Sequence, residues 1–346
     1  MENRKYDILS LTLPEVEELV SEIKEPRFRS KQIYGWISKG MWGDEMSNIP
    51  MSLRKKLDDV CEFRLPRVKR KLVSQLDGTV KYLFELIDGE FIESVFMKYE
   101  HGNTLCISSQ VGCRMGCKFC ASTLLGRVRD LLPSEMLGQI IAAEKDTGER
   151  ISNVVMMGIG EPLDNYDNTI KFLKLVSSED GLNIGLRHIS VSTCGLVDKI
   201  DKLALEGLPI TLSVSLHAYD NEVRSGIMPI NNKYPIEKLL TACNSYFQKT
   251  GRRISFEYTL INGKNDTSEG ASRLAAILKR YIKGTCHVNL IPLNEVEETK
   301  LQTSKNVNNF KNKLVSLGIN ATVRRRLGSD INASCGQLRR QEKKDD

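Results

Sequence analysis

No stretch of the chain approaches the ~20 apolar residues that span a bilayer. Met1-Glu2-Asn3-Arg4-Lys5 runs straight into amphipathic sequence, without the apolar core of a secretory signal. These two absences predict a cytoplasmic protein with no membrane partner. Low-complexity linkers and repeats of about 20–50 residues are missing as well, which excludes solenoids and arrays. A strong excess of one charge is absent too, because 50 basic and 44 acidic residues leave a net charge of only +6. Nine cysteines, an odd number at irregular spacing, exclude a disulfide framework and leave reduced thiols with chemical work to do. With 346 residues, 40% hydrophobic and 27% charged, the chain can bury a full core as one large domain or as a domain with an appendage.

Three of the thiols stand together in Cys113-Arg114-Met115-Gly116-Cys117-Lys118-Phe119-Cys120. A structural zinc site takes four protein ligands, and ferredoxin-type clusters take four cysteines. Three leave one position open, as a reactive centre requires. If the metal group is a 4Fe-4S cluster, its fourth iron can bind a small molecule. The spacing C-x3-C-x2-C resembles the cluster loop of radical S-adenosylmethionine (SAM) enzymes. The alternative is a set of structural thiols, or a zinc loop that borrows a distant fourth ligand.

The hydrophobic period divides the chain into residues 1–60, 61–100 and 101–346. In the first part, Leu13 to Val20 and Ser30 to Ile37 are spaced for amphipathic helices, and Pro14 and Glu15 suit a helix start. They predict a small helical accessory domain whose Arg27, Arg29 and Lys31 could touch RNA. From 62 to 100 the period becomes two. Thr79 to Leu86 and Phe91 to Met97, turning over 87–90, read as a β-hairpin forming a sheet extension laid against the main domain. From 104 onward, strands begin near Thr104, Asn153, His188, Ile210, Ile254, His287 and Thr322. Helices are expected near 134–146, 167–177, 197–206, 235–249, 268–281 and 304–317. Alternation of this kind implies an α/β fold with a parallel sheet and right-handed crossovers. About six units fit, fewer than the eight of a closed barrel, so an open partial (βα)6 barrel is expected.

Barrel chemistry gathers where strands end. The cysteine loop follows the strand from Thr104 to Ser109. The next strand ends in Gly158-Ile159-Gly160-Glu161-Pro162, where glycines admit a ligand to the backbone and Glu161 offers an acceptor for an ammonium. Alone, Gly-x-Gly before proline is equally a plain turn. Later strands end in Ser192, in Ser215-Leu216-His217 and in Asn294, small polar groups suited to a ribose, a carboxylate and an adenine. Basic residues bunch at 24–31, 64–71, 324–326 and 339–344, in keeping with a polyanion or with solvated faces.

Taken together, the blocks Cys106-Ile107-Ser108-Ser109-Gln110-Val111-Gly112-Cys113, Gly160-Glu161-Pro162-Leu163, Ser215-Leu216-His217, Met228-Pro229-Ile230-Asn231, Phe256-Glu257-Tyr258 and Cys335-Gly336-Gln337-Leu338 resemble the radical SAM adenine-C2 methyltransferases of ribosomal and transfer RNA. The likeness runs over nearly the whole chain. It implies a 4Fe-4S cluster on Cys113, Cys117 and Cys120, with SAM contacts at Gly160, Glu161, Ser192, Ser215, Leu216, His217 and Asn294. It also implies that one SAM methylates Cys335 and a second is cleaved to a deoxyadenosyl radical, which takes a hydrogen from the methylated cysteine. The resulting methylene radical adds to carbon 2, a poor nucleophile between two ring nitrogens. Glu93 corresponds to the base that removes the carbon 2 proton. Cys106 would release the product by attacking the thioether sulfur, leaving a disulfide. The implied partners are 23S rRNA in a protein-poor or assembling large subunit, tRNA next to the anticodon, and an electron-donating flavodoxin or ferredoxin system. Cys61, Cys194, Cys243 and Cys286 are assigned to packing. One departure is Asn332, where the family more often carries an acid. Glu161-Pro162-Leu163 and Ile291-Pro292-Leu293-Asn294 resemble this carbon-2 branch more than a sister branch that methylates carbon 8 of the same ribosomal adenine, which stays the alternative within the fold. The competitor of a different class is a non-catalytic RNA-binding protein with a structural metal loop.

Overall fold

A computed structural model describes residues 5–294, 300–333 and Leu338. The N-terminal segment opens with β1 (Tyr6–Asp7), followed by α1 (Leu13–Glu22), α2 (Phe28–Ile37) and α3 (Met51–Val60). It closes with β2 (Cys61–Glu62), parallel to β1. Helix α1 starts where expected, because Glu15 accepts hydrogen bonds from the Thr12 amide (2.7 Å) and hydroxyl (2.9 Å). Helix α3 is an addition to the two helices legible in the sequence.

Three antiparallel strands follow: β3 (Arg67–Val73), β4 (Val80–Glu85) and β5 (Phe91–Met97). The expected hairpin is β4–β5. Strand β3, read in the sequence only as a basic cluster, lies on the sheet edge with its cationic side chains exposed.

The remaining elements are β6 (Thr104–Cys106), β7 (Gln110–Gly112), β8 (Arg127–Asp130), α4 (Pro133–Thr147), β9 (Asn153–Met156), α5 (Tyr166–Val176), β10 (Ile189–Thr193), α6 (Val197–Leu203), β11 (Thr211–Ser215), α7 (Asn221–Ile227), α8 (Ile236–Thr250), β12 (Ile254–Leu260), α9 (Ser268–Tyr281), β13 (Cys286–Pro292), α10 (Val307–Ser316) and β14 (Ala321–Val323). Strands β6 and β9 to β14 pair in parallel and in chain order. Six helical crossovers join them, which makes the open (βα)6 barrel expected.

The hairpin extends the barrel sheet, as expected. Strand β5 hydrogen-bonds edge to edge with β6, so one ten-stranded sheet runs from β14 to β3. The physical reason is that β6 presents an edge on its outer side, and an unpaired edge row of amides and carbonyls is satisfied best by another strand. The helical N-terminal segment is likewise continuous with the barrel core. Helix α4 is buried from Pro133 to Ala143, packed against α5 and the N-terminal segment, and Gln139 on it accepts from Ser94 Oγ of β5 at 2.8 Å. Asp7 Oδ2 accepts from Ser134 Oγ at 2.6 Å, and Lys171 reaches Glu15 at 2.9 Å across the same junction. No helix among the described residues is long and apolar enough to cross a membrane.

Candidate active site

The cysteine loop is an excursion between two short strands, β7 and β8, that pair with each other. Its base is closed by Cys113 N–H donating to Gly126 O at 3.1 Å. Its middle is pinned by Lys118 N–H on Ile227 O at 2.9 Å, and its side by Arg114 Nε on Asp164 Oδ2 at 2.9 Å. Cys113, Cys117 and Cys120 thereby line one cavity at the strand ends, together with Gly160, Glu161, Ser192, Ser215, His217 and Asn294. Burial pushes the Cys113 thiol up to about 12, and Cys117 and Cys120 also rise, chiefly by burial. Three thiols that resist ionisation unless a cation is supplied are a donor set that fits an iron–sulfur group. Among the described residues, no three His, Cys, Asp or Glu side chains close on a single ion. In a cubane each cysteine binds its own iron, so three cluster ligands need not close that far.

Leu216 is the one expected SAM contact whose side chain does not line this cavity. It is fully buried in the main core, and its carbonyl accepts from Arg224 Nε at 3.1 Å. Glu161 is buried with its carboxylate already bound, accepting from Cys194 N–H at 2.7 Å and Leu163 N–H at 3.0 Å. Burial raises its proton affinity, and these amides oppose the rise. The Thr193 and Cys194 side chains also hydrogen-bond this carboxylate. His217 takes a left-handed backbone (φ 54°) and accepts the Thr259 amide on Nδ1 at 2.8 Å. Burial, helped by Arg224, lowers its pKa to about 3, so the ring is neutral with its proton on Nε2. Gly158 and Gly160 are required by close approach. A Cβ on Gly158 would lie 2.5 Å from Ile107 O, and one on Gly160 (φ 109°) would lie 2.7 Å from Gln110 N.

A second cavity shares a wall with the first, formed by Met157, Gly158, Ile291, Pro292, Asn294 and Arg324. Strand periodicity explains its contents. Leu83 stands opposite Glu93, Lys81 opposite Val95, and Val95 opposite Cys106, so all five side chains occupy one face of the sheet. Glu93 and Cys106 line the cavity, although Glu93 in isolation reads as a solvent-facing strand position. Burial raises the proton affinity of the Cys106 thiol, and Arg324 acts against that rise. After β14 the chain returns over this face and is fastened to the β3–β4 turn. Ser74 Oγ donates to Asp330 Oδ1 at 2.6 Å, and Gly328 N–H to Asp77 Oδ2 at 2.8 Å. Arg324, Arg325 and Arg326 therefore border the cavity.

Cys335 and the basic run 339–344 lie outside the described residues. The eight described cysteines are free thiols, so no disulfide is present among the described residues. Cys61 and Cys243 pack in the core as expected, whereas Cys194 lines the thiol cavity.

Three participants escaped the sequence reading. Arg224 is fully buried and donates to the carbonyls of Cys194 (2.7 Å), Ser215 (3.1 Å) and Leu216, stapling two strand ends together. Glu257 lines the thiol cavity and accepts from Asn289 Nδ2 at 2.8 Å; its block Phe256-Glu257-Tyr258 was the available signal. Lys81 had no signal, since an alternating strand leaves one lysine indistinguishable from a solvated one.

Residues 107–275 match the Radical SAM superfamily, and residues 6–63 match the Ribosomal RNA large subunit methyltransferase N-terminal domain. A "Probable dual-specificity RNA methyltransferase RlmN" of Clostridium novyi (strain NT) is 53% identical, over 96% of this chain and 98% of the relative. The chain belongs to the RlmN family of radical SAM RNA methyltransferases. A similarly named RlmN protein of Alkaliphilus oremlandii (strain OhILAs) is 52% identical over 97% of this chain and 98% of its own. The crystal structure of a radical SAM methyltransferase from Sphaerobacter thermophilus superposes with a TM-score of 0.91 at 41% identity, covering 96% and 98% of the two chains. An RlmN-family protein is an enzyme whose cofactors are a cysteine-bound 4Fe-4S cluster and SAM, and the thiol cavity has the donors for both.

Proposed function

We propose that this protein methylates carbon 2 of an adenosine in 23S rRNA at the peptidyl transferase centre and of the adenosine 3' to the anticodon in tRNAs. The observation that carries this reading is the shared wall between the thiol cavity and the cavity holding Glu93 and Cys106. It lets a methyl group and a base be handled within one continuous site.

Bound in the first cavity, the cluster and SAM supply one-electron chemistry and a methyl group. Cys113, Cys117 and Cys120 hold the cluster. Glu161 and the neutral His217 ring offer an acceptor and a donor to SAM, while Gly158 and Gly160 let it approach the backbone. Cys335 carries the methyl group in transit. Ala333, two residues before it in the chain, packs with Cys106 and Val95. Glu93 takes the proton from carbon 2 of the adduct, whose unpaired electron would be returned to the cluster, leaving a closed-shell thioether. Cys106 as thiolate then attacks the Cys335 sulfur: an S–S bond forms, the sulfur–methylene bond breaks, and the electron pair moves to the methylene carbon, which gains a proton to become the methyl product. The resulting disulfide is reduced by an external thiol. Electrons for the cluster come from a flavodoxin or ferredoxin, and the reaction takes place in the cytoplasm, where both RNAs reside.

Mass spectrometry of rRNA and tRNA nucleosides from cells with and without the gene tests the reading. The expected result is 2-methyladenosine that disappears with the gene from both RNA classes. Finding 8-methyladenosine instead, or no change in either RNA, overturns it.

A further inference from the structure

Lys81 is an unusual residue for the middle of a strand. It is fully buried, and so is the carboxylate it meets, with Nζ 3.2 Å from Glu93 Oε2. The same ammonium donates to the carbonyl oxygen of Asn332 at 3.0 Å. One oxygen belongs to the residue read here as the base, and the other to the tail that leads to the methyl-carrying cysteine.

A buried ion pair contributes little to net stability, because desolvating both charges offsets their attraction. What this one achieves is a geometric link between parts of the chain 239 positions apart, from Glu93 to Asn332. Neighbouring contacts point the same way. Asp330 and Gly328 are tied to the β3–β4 turn, Ala333 packs beside Cys106, and Leu338 packs on Leu83 and Phe91. Described residues on both sides of Cys335 in the chain are thus held to the sheet face that carries Glu93. Lys81 is the one group among these contacts that touches the base itself.

We propose that Lys81 is a positioning residue that holds the Glu93 carboxylate and the C-terminal tail in register, so that proton removal and thioether cleavage take place on the same adduct. This inference rests on the reading of Glu93 as base and Cys335 as methyl carrier. It makes Lys81 act through Glu93 and the tail, without itself touching the RNA.

The experiment uses the full-length, cluster-reconstituted protein with Cys335 already methylated, and a tRNA substrate. Lys81→Met is compared with Lys81→Arg, Glu93→Gln and the Lys81→Met/Glu93→Gln double variant. Backbone hydrogen exchange over residues 328–333 reads the tail, and disappearance of the covalent protein–RNA adduct reads release. In Lys81→Met, tail exchange should accelerate and adduct release slow by about tenfold or more each, with Lys81→Arg recovering much of both. Release in the double variant should be slowed by less than the product of the two single effects, since residues acting as a unit are not additive. Unchanged tail exchange in Lys81→Met, or additive effects in the double variant, overturns the proposal. A Glu93→Gln enzyme that releases its adduct at the wild-type rate would instead overturn Glu93 as base, while the exchange measurement still tests the tie to the tail. Should the methionine variant fail to fold, Lys81→Gln, uncharged and of similar length, carries the same expectations.

Discussion

The two adjoining cavities are built in opposite ways. The thiol cavity is assembled from strand ends taken in chain order, from the loop after β6 to Arg324 just past β14. Glu161 and His217 in it are fixed by backbone hydrogen bonds. The Glu93 cavity is assembled from remote pieces: the middle of β5, the end of β6, and a tail that returns after β14. Its polar groups are fixed by side chains, through Lys81, Ser74 and Asp77. A cofactor that is the same in every turnover suits a rigid, backbone-defined pocket. A large polyanionic substrate suits a cation-rimmed one whose roof is a tail.

The largest effect expected to separate the two cavities comes from their cysteines. Cys117→Ala should abolish iron and sulfide uptake together with SAM cleavage. Cys106→Ala should leave uptake and cleavage intact and accumulate a covalent protein–RNA adduct, seen as a shifted band that nuclease removes. Loss of iron in the Cys106 variant, or free unmodified RNA with no adduct, would collapse the distinction between the cavities.

A smaller effect probes the wall between them. Gly158→Ala pushes a methyl against the Ile107 carbonyl, and overpacking of that kind costs about 1–3 kcal/mol. Denaturant unfolding should report that loss, and SAM affinity should fall with it. A variant with unchanged stability and SAM binding would show that the wall yields freely.

The smallest effect is a slope. His217 has its folded pKa lowered from 6.5 to about 3 by burial. Between those values the unfolded chain binds a proton at this site that the folded chain does not. Stability from this group is therefore present above the unfolded value and lost as pH falls toward 3, at up to about 1.4 kcal/mol per pH unit. His217→Asn keeps an acceptor for the Thr259 amide and removes the titration. Its stability should depend less steeply on pH across this window in the metal-free protein, and an identical slope would count against a buried neutral imidazole.

Much of the barrel was legible before any coordinates. Its seven strands begin within a residue or so of the expected positions, because alternating apolar strands and amphipathic helices carry their own periods. The thiol cavity was nearly as legible, since strand ends in a barrel all face one way. Strand β3 was not, because Arg67 to Lys71 resembles any charged loop until an edge partner is known. Glu93 was legible only through family likeness.

Local spacing alone was sufficient to specify the three-thiol loop, the parallel barrel and the row of strand-end ligands, since each depends on neighbours close in the chain. Three-dimensional closure decided the rest: that β5 joins β6 edge to edge, that Lys81 meets Glu93 inside the protein, and that the tail crosses that face. Those contacts join segments up to about 250 residues apart, from Lys81 to Asn332, and at such separations no periodicity in the chain records which side chains will meet.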